Sequence, residues 1–252
     1  MTIQVNRASM TAGAVSTPLD EGLRSHMLGI YNRMSAGLLL TAIVAWVIAS
    51  TSLGPMFFEV TRSPRGLMTS PTILGWVAVL SPLAFVLALS FGLQRMSAAT
   101  VNILFWAFAA CMGASMSSIF MVYVGSSVAS TFFVTAGMFG ATSLWGYTTG
   151  RDLTRMGSLL IMALIGIILA TIVNIFLGSG ILALVISVVG VLVFVGLTAS
   201  DTQRIKNDYL EYGEMAGTPE GSKRATMDAL TLYLNFVNMF QFLLSIMGTR
   251  RD

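Results

Sequence analysis

The chain has 252 residues, is 55% hydrophobic and only 10% charged, and has a mean hydropathy of +0.80. Soluble domains carry roughly a quarter charged residues, so this chain cannot cover a water-facing surface and belongs in lipid. Its formal charge of +3 comes from scattered bases, with no stripe able to track phosphates, so nothing calls for a nucleic-acid partner.

Residues 1–26 are polar and lack the apolar core of a signal peptide, so they read as a cytoplasmic tail ahead of a transmembrane domain over 27–252. No cleaved leader is expected, and the first helix serves as the insertion signal. Beyond the tail, the stretches 34–58, 66–94, 96–150, 156–200 and 229–249 contain no Asp, Glu, Lys or Arg. One spanning helix needs about 20 apolar residues, so the two longest blocks each hold two. Val124-Gly125-Ser126-Ser127 breaks the first of these, and Leu177-Gly178-Ser179-Gly180 the second. The expected helices are 33–54, 72–93, 99–122, 127–149, 156–177, 181–201 and 228–248. The fold class is an all-α integral membrane protein, a seven-helix bundle. The runs are too long and too uniformly apolar for a β-barrel.

Lys and Arg counts orient the bundle. With the N-terminus in the cytoplasm, ten bases fall on that side, and only Arg62, Arg65, Arg250 and Arg251 on the other. The C-terminus is therefore expected outside. Cys111 lies alone within the third helix and has no intrachain partner.

The third helix carries two ladders of small residues, Ala109-Gly113-Ser117 and Ala110-Ala114-Ser118. Such ladders let helix backbones approach closely in lipid, and tight packing is the expectation here ahead of a pore lining. The sixth helix ends in Asp201, followed at once by Thr202, Gln203, Arg204 and Lys206. A carboxylate at the membrane boundary is costly to keep charged without a partner, which marks it as a functional candidate. It is either solvated and paired with Arg204, or paired across helices.

In the seventh helix Asp228, Thr231, Asn235 and Asn238 follow at intervals of three and four, so they share one face. Lipid offers no hydrogen-bond partners, so this seam must face protein or water and the last helix is expected to be surrounded by others. The amides either bind helices together or line a hydrated pathway. The loop 202–227 returns on one side, which brings Asp201 within reach of Asn235 or Asp228. Arg95, ending the second helix on that side, is a possible counter-charge, and a pair that breaks and re-forms would make a gate. The loop's acids lack the spacing of a calcium-binding EF-hand, so a solvated loop is expected.

Much else is excluded. With His26 the single histidine, no histidine-based zinc site or Ser–His dyad can form in the membrane. Both lysines lie in a loop, so there is no retinal attachment site. Asp201 and Asp228 lack the Gly-x-Gly-Asp setting of an intramembrane aspartyl protease. Neither an enzyme nor a cofactor is expected.

In order along the chain, several segments resemble the Bax inhibitor-1 family, also called the transmembrane BAX inhibitor motif proteins, and its bacterial members most. They are Leu23–Leu38, Ser118–Tyr123, Phe139–Leu153, Val173–Phe176, Ser200–Gln203 and Leu232–Phe240. The resemblance implies a seven-helix bundle with a central last helix and a pH-sensitive calcium leak in a bacterial inner membrane. It further implies that Asp201 is the acid that ends the sixth helix and shares protons with a second acid on the seventh. Arg95 aligns loosely with a basic latch. This chain departs from the family where members often read Leu-Tyr-Leu-Asp, because Asn235 stands at the second acid and cannot share a proton. Weakened or shifted pH gating is expected in consequence. The rival reading is a non-conducting regulator that binds other membrane proteins, such as a protease, through the 1–26 tail. A third is a proton-coupled exchanger.

Overall fold

The computed structural model describes residues 18–63, 66–213 and 217–251. In chain order it comprises α1 (Pro18–Ser50), α2 (Gly54–Phe57), a hairpin of β1 (Phe58–Ser63) and β2 (Gly66–Pro71), α3 (Ile73–Gly92), α4 (Ala98–Val122), α5 (Gly125–Thr148), α6 (Thr154–Leu177), α7 (Gly180–Tyr212) and α8 (Pro219–Met247). Among the described residues seven helices are long and apolar enough to cross a membrane: α1 and α3 through α8.

Local chemistry sets most helix starts. Thr72, Ser97, Ser179 and Thr218 each accept a hydrogen bond from the backbone N–H three residues on, satisfying donors the helix leaves unpaired. Gly178 ends α6 at φ 59°, a left-handed position that glycine adopts without a Cβ penalty.

The expected bundle is present, and its last helix is central. In the most apolar window of α8, 56% of residues are buried, against 6% for α6. Around α8 pack α1, α4, α5 and α7, whereas α6 rests on α7 and turns the rest of its surface to lipid. The small-residue ladder on α4 does what was expected of it. A Cβ on Gly113 would lie 2.6 Å from the Thr41 carbonyl oxygen of α1, so the two backbones touch only because that side chain is missing.

Three boundaries differ from the sequence reading. Helix α1 begins at Pro18 rather than 33, so the division expected after residue 26 falls inside it. Helix α7 runs on to Tyr212, and α8 starts at Pro219 rather than 228. The expected 26-residue loop is therefore two helical extensions and a short turn. The reason is amphipathicity. Leu23, Met27, Ile30 and Met34 are buried at intervals of four, three and four, and Ile205 on α7 is fully buried. Charged residues beyond the bilayer boundary occupy the other face without stopping the helix.

The β1–β2 hairpin has no counterpart in the sequence reading. It pairs from Phe58↔Pro71 to Ser63↔Gly66, and Leu67 N–H donates to the Arg251 carbonyl at 3.3 Å. The C-terminal strand 249–251 also bonds to Val122 and Val124, which ties hairpin, C-terminus and the α4–α5 turn together at one end of the bundle.

Candidate functional site

Asp201 sits two-thirds of the way along α7, next to Ala199 and Thr202, both fully buried. Close approach of α5 holds this part of α7. A Cβ on Gly146 would collide with the Ala199 backbone, so no larger residue would let the helices meet there. Ser143, one turn earlier on α5, hydrogen-bonds Thr202 at 2.9 Å and also the Tyr31 hydroxyl of α1. Asp201 is thus placed by a chain of hydroxyls joining three helices.

The carboxylate has two partners. Asn235 Nδ2, on the central helix, donates to Asp201 Oδ2 at 2.7 Å. Arg204 Nε lies 3.5 Å from Asp201 Oδ1. The other two nitrogens of the same guanidinium approach Asp208 Oδ2 and Asp228 Oδ1, each at 3.4 Å. One cation therefore gathers three carboxylates from α7 and α8, and it alone cannot neutralise them. Asp201 and Asp228 keep only 20% and 13% of their side-chain surface exposed, while Arg204 keeps 45%. These two acids are largely enclosed, and the cation is the more exposed partner.

Beyond Arg204 lies a cavity of about 880 Å³, open to the side from which α1 enters. His26, Arg33, Tyr209 and Arg224 line it together with Arg204, Asp208 and Asp228. His26 and Tyr209 stack with ring centroids 4.8 Å apart, which joins the extensions of α1 and α7 at its wall.

The other sequence candidates fall differently. Thr231 and Asn238 turn back onto their own helix, donating to the Met227 and Leu234 carbonyls at 3.1 and 2.8 Å. Only Asp228 and Asn235 of the seam reach another helix. Arg95 is exposed in the turn after α3, and its described contacts include no ion pair with Asp201; Arg204 occupies that place. Asp201, Asp208 and Asp228 converge on a guanidinium rather than on one another, and no metal-binding group of three acids, cysteines or histidines occurs among the described residues.

Two residues beside Asp201 act through the turn between α5 and α6. Gln203 Oε1 accepts from Leu153 N–H and its Nε2 donates to the Arg151 carbonyl, both at 2.8 Å. Lys206 donates to the Tyr147 carbonyl at 2.9 Å, at the exposed end of α5 where a cation complements the helix dipole. The sequence reading notes Gln203 beside the acid but gives it no role of its own. In the same turn Asp152 accepts from Thr154, and hydrogen bonding to that residue holds its carboxyl below the usual range. On the opposite side of α8, Tyr233 is fully buried. Its hydroxyl pairs at 2.6 Å with Thr41, which also donates to the Ala109 carbonyl.

Residues 23–252 match the family described as inhibitor of apoptosis-promoting Bax1. An uncharacterized protein of Rickettsia prowazekii is 42% identical over 245 residues, which is 97% of this chain and 98% of that protein. The inner membrane protein YbhL of Escherichia coli is 46% identical over 233 residues, 91% of this chain and 94% of its own. A further uncharacterized protein, from Caulobacter vibrioides, is 42% identical over 245 residues, 97% of this chain and 96% of that one.

Proposed function

The chain belongs to the Bax inhibitor-1 family, and from that premise we propose that it is a cation leak, with calcium as cargo, gated where Arg204 closes over Asp201, Asp208 and Asp228. A bacterial inner membrane is its proposed location, as the name of the Escherichia coli relative suggests, with the N-terminus in the cytoplasm. One observation carries the reading: a half-exposed guanidinium bridges Asp201 and Asp228, both largely enclosed, and the exposed Asp208 where α7 meets the central helix. Carboxylate oxygens are the ligands that hard cations select. In the closed state Arg204 occupies the position a permeating cation would need.

Asn235 sets the character of the gate. Its amide donates to an ionised Asp201, and turned by 180° it would accept from a protonated one. The bond survives either state, and residue 235 itself brings no second charge against Asp201. The pH response of this chain is then shallower than that of a two-carboxylate site. Arg204 takes the latch role that the resemblance gave to Arg95.

The second reading, a non-conducting regulator that binds a membrane protein such as a protease, draws support from the polar seam. Past Asn235, α8 presents buried Phe236, Met239 and Phe240, and Asn238 bonds within its own helix. Calcium flux into liposomes containing the purified protein, at pH 6, 7 and 8 and beside Asp201→Asn, separates the two. Flux dependent on pH and on Asp201 supports the gate. Folded protein with no flux above empty liposomes refutes the leak and leaves the regulator.

A further inference from the structure

A second cavity, of about 700 Å³, opens sideways between α1 and α5 and has α4 and α8 as its floor. No charged residue lines it. Its walls are Ala42 and Ala45 on α1 against Ala129 and Phe133 on α5, and its floor includes Phe236 and Phe240. The small side chains make the concavity, and the phenylalanines give it depth. The one polar side chain buried in it, Thr41, spends its hydroxyl on Tyr233, Gly37 and Ala109, and Ser35 is the polar side chain left exposed on the lining.

The dimensions select the guest. Lining residues run from Met34 to Ala45 on α1 and from Gly125 to Phe139 on α5. At 1.5 Å per residue these are roughly 16 and 21 Å, about half and two-thirds of a hydrocarbon core about 30 Å thick. The cleft runs from the hairpin side to beyond the bilayer midplane along α5, and stops near the level of Asn235. A transmembrane helix of another protein, about 10–12 Å across, would need on the order of 1,300–1,800 Å³ over that length, at least about twice what is available. At the cleft's outer end, two residues before Gly125, Tyr123 carries the Arg250 guanidinium over its ring at 5.9 Å. An anionic group at the membrane surface would meet a cation there.

We propose that this cleft is a binding site for one phospholipid of the hairpin-side leaflet, with an acyl chain lying between α1 and α5 and its phosphate toward Arg250. The site is separate from the Arg204 cluster and stands whether or not the protein conducts.

The test uses the full chain in nanodiscs doped with a phospholipid bearing a diazirine midway along one acyl chain. After irradiation, mass spectrometry maps the adducts. Labelling concentrated on the segments around Ala42 and Ala129, several-fold above the lipid-facing surface of α6 at Ile161 and Leu169, is the expected result. Ala129→Trp fills the cleft and should remove that labelling while leaving α6 unchanged, and Arg250→Gln should reduce it. If Ala129→Trp fails to fold, Ala42→Leu blocks the cleft from the other wall. Equal labelling of cleft and α6, or cleft labelling that survives a filled cleft, overturns the site. A free fatty acid probe that labels the cleft where the phospholipid does not overturns the assignment to phospholipid. So does disulfide cross-linking of two chains through Ala42→Cys, which would give the cleft to a second copy.

Discussion

Replacing Arg204 with glutamine tests the gate most directly. The side chain stays polar, but it is shorter, has two donors in place of five, and loses the charge that faces Asp201, Asp208 and Asp228 at 3.4–3.5 Å. Each contact is discounted because 45% of the Arg204 side chain is exposed. Exposed ion pairs contribute about 0.2–1 kcal/mol each, so three sum to about 0.6–3 kcal/mol, with about 1–2 kcal/mol as the central range. If they exist only in the closed arrangement, losing them moves the closed-to-open equilibrium about 5–30-fold toward open. Calcium flux into liposomes at pH 7 should rise by up to that factor in Arg204→Gln. Raising salt should narrow the difference, since screening already weakens the pairs in the natural protein. Flux that stays within twofold of the natural protein, with the variant folded, refutes the assignment of Arg204 as the closing charge.

The remaining predictions concern the neighbours of that cluster. Asn235→Asp places a second carboxylate at hydrogen-bond distance from Asp201, where the two cannot ionise independently, so the flux profile between pH 6 and 8 should become steeper than that of the natural protein. Asp152 is stabilised in its charged form by Thr154. Its lowered pKa means that its contribution is complete above the unfolded value, about 3.9, and is lost only as pH falls through the folded value. Asp152→Asn should therefore leave the pH 6–8 flux profile unchanged, and a melting curve in detergent should differ in its pH dependence only below about pH 4. Gly113→Val forces a branched side chain against the Thr41 carbonyl and Val44, and overpacking of this kind costs about 1–3 kcal/mol. The thermal midpoint should fall while that of Gly137→Ala, where nothing lies within 4 Å of the added carbon, stays close to the natural value.

The seven spans were legible because hydropathy is a local property that needs no knowledge of neighbours. Asp201 and Asn235 were legible for the same reason: a polar group in an apolar run has to find a partner, whatever the fold. The choice of partner was not. Arg95 and Arg204 stand equally well in the sequence as counter-charges, and only the convergence of α7 on α8 puts Arg204 among three acids and leaves Arg95 exposed. The seam on α8 misled in part. Thr231 and Asn238 share a face with Asn235, yet a hydroxyl or amide in a helix can bond the carbonyl four residues back as readily as another helix. Spacing alone does not distinguish the two.

By itself, then, the sequence determined the solvent of this protein, the number of its spanning helices and the burial of the last one, because each follows from how many apolar residues stand in a row and where polar ones interrupt them. The tertiary structure decided where the helices stop, since α1, α7 and α8 continue past the bilayer as long as Leu23, Met27 and Ile205 have a core to bury in. It also decided which cation closes over Asp201 and that an apolar cleft opens between α1 and α5. Those features depend on which surfaces meet, and contact between different helices is set by packing rather than by any local pattern.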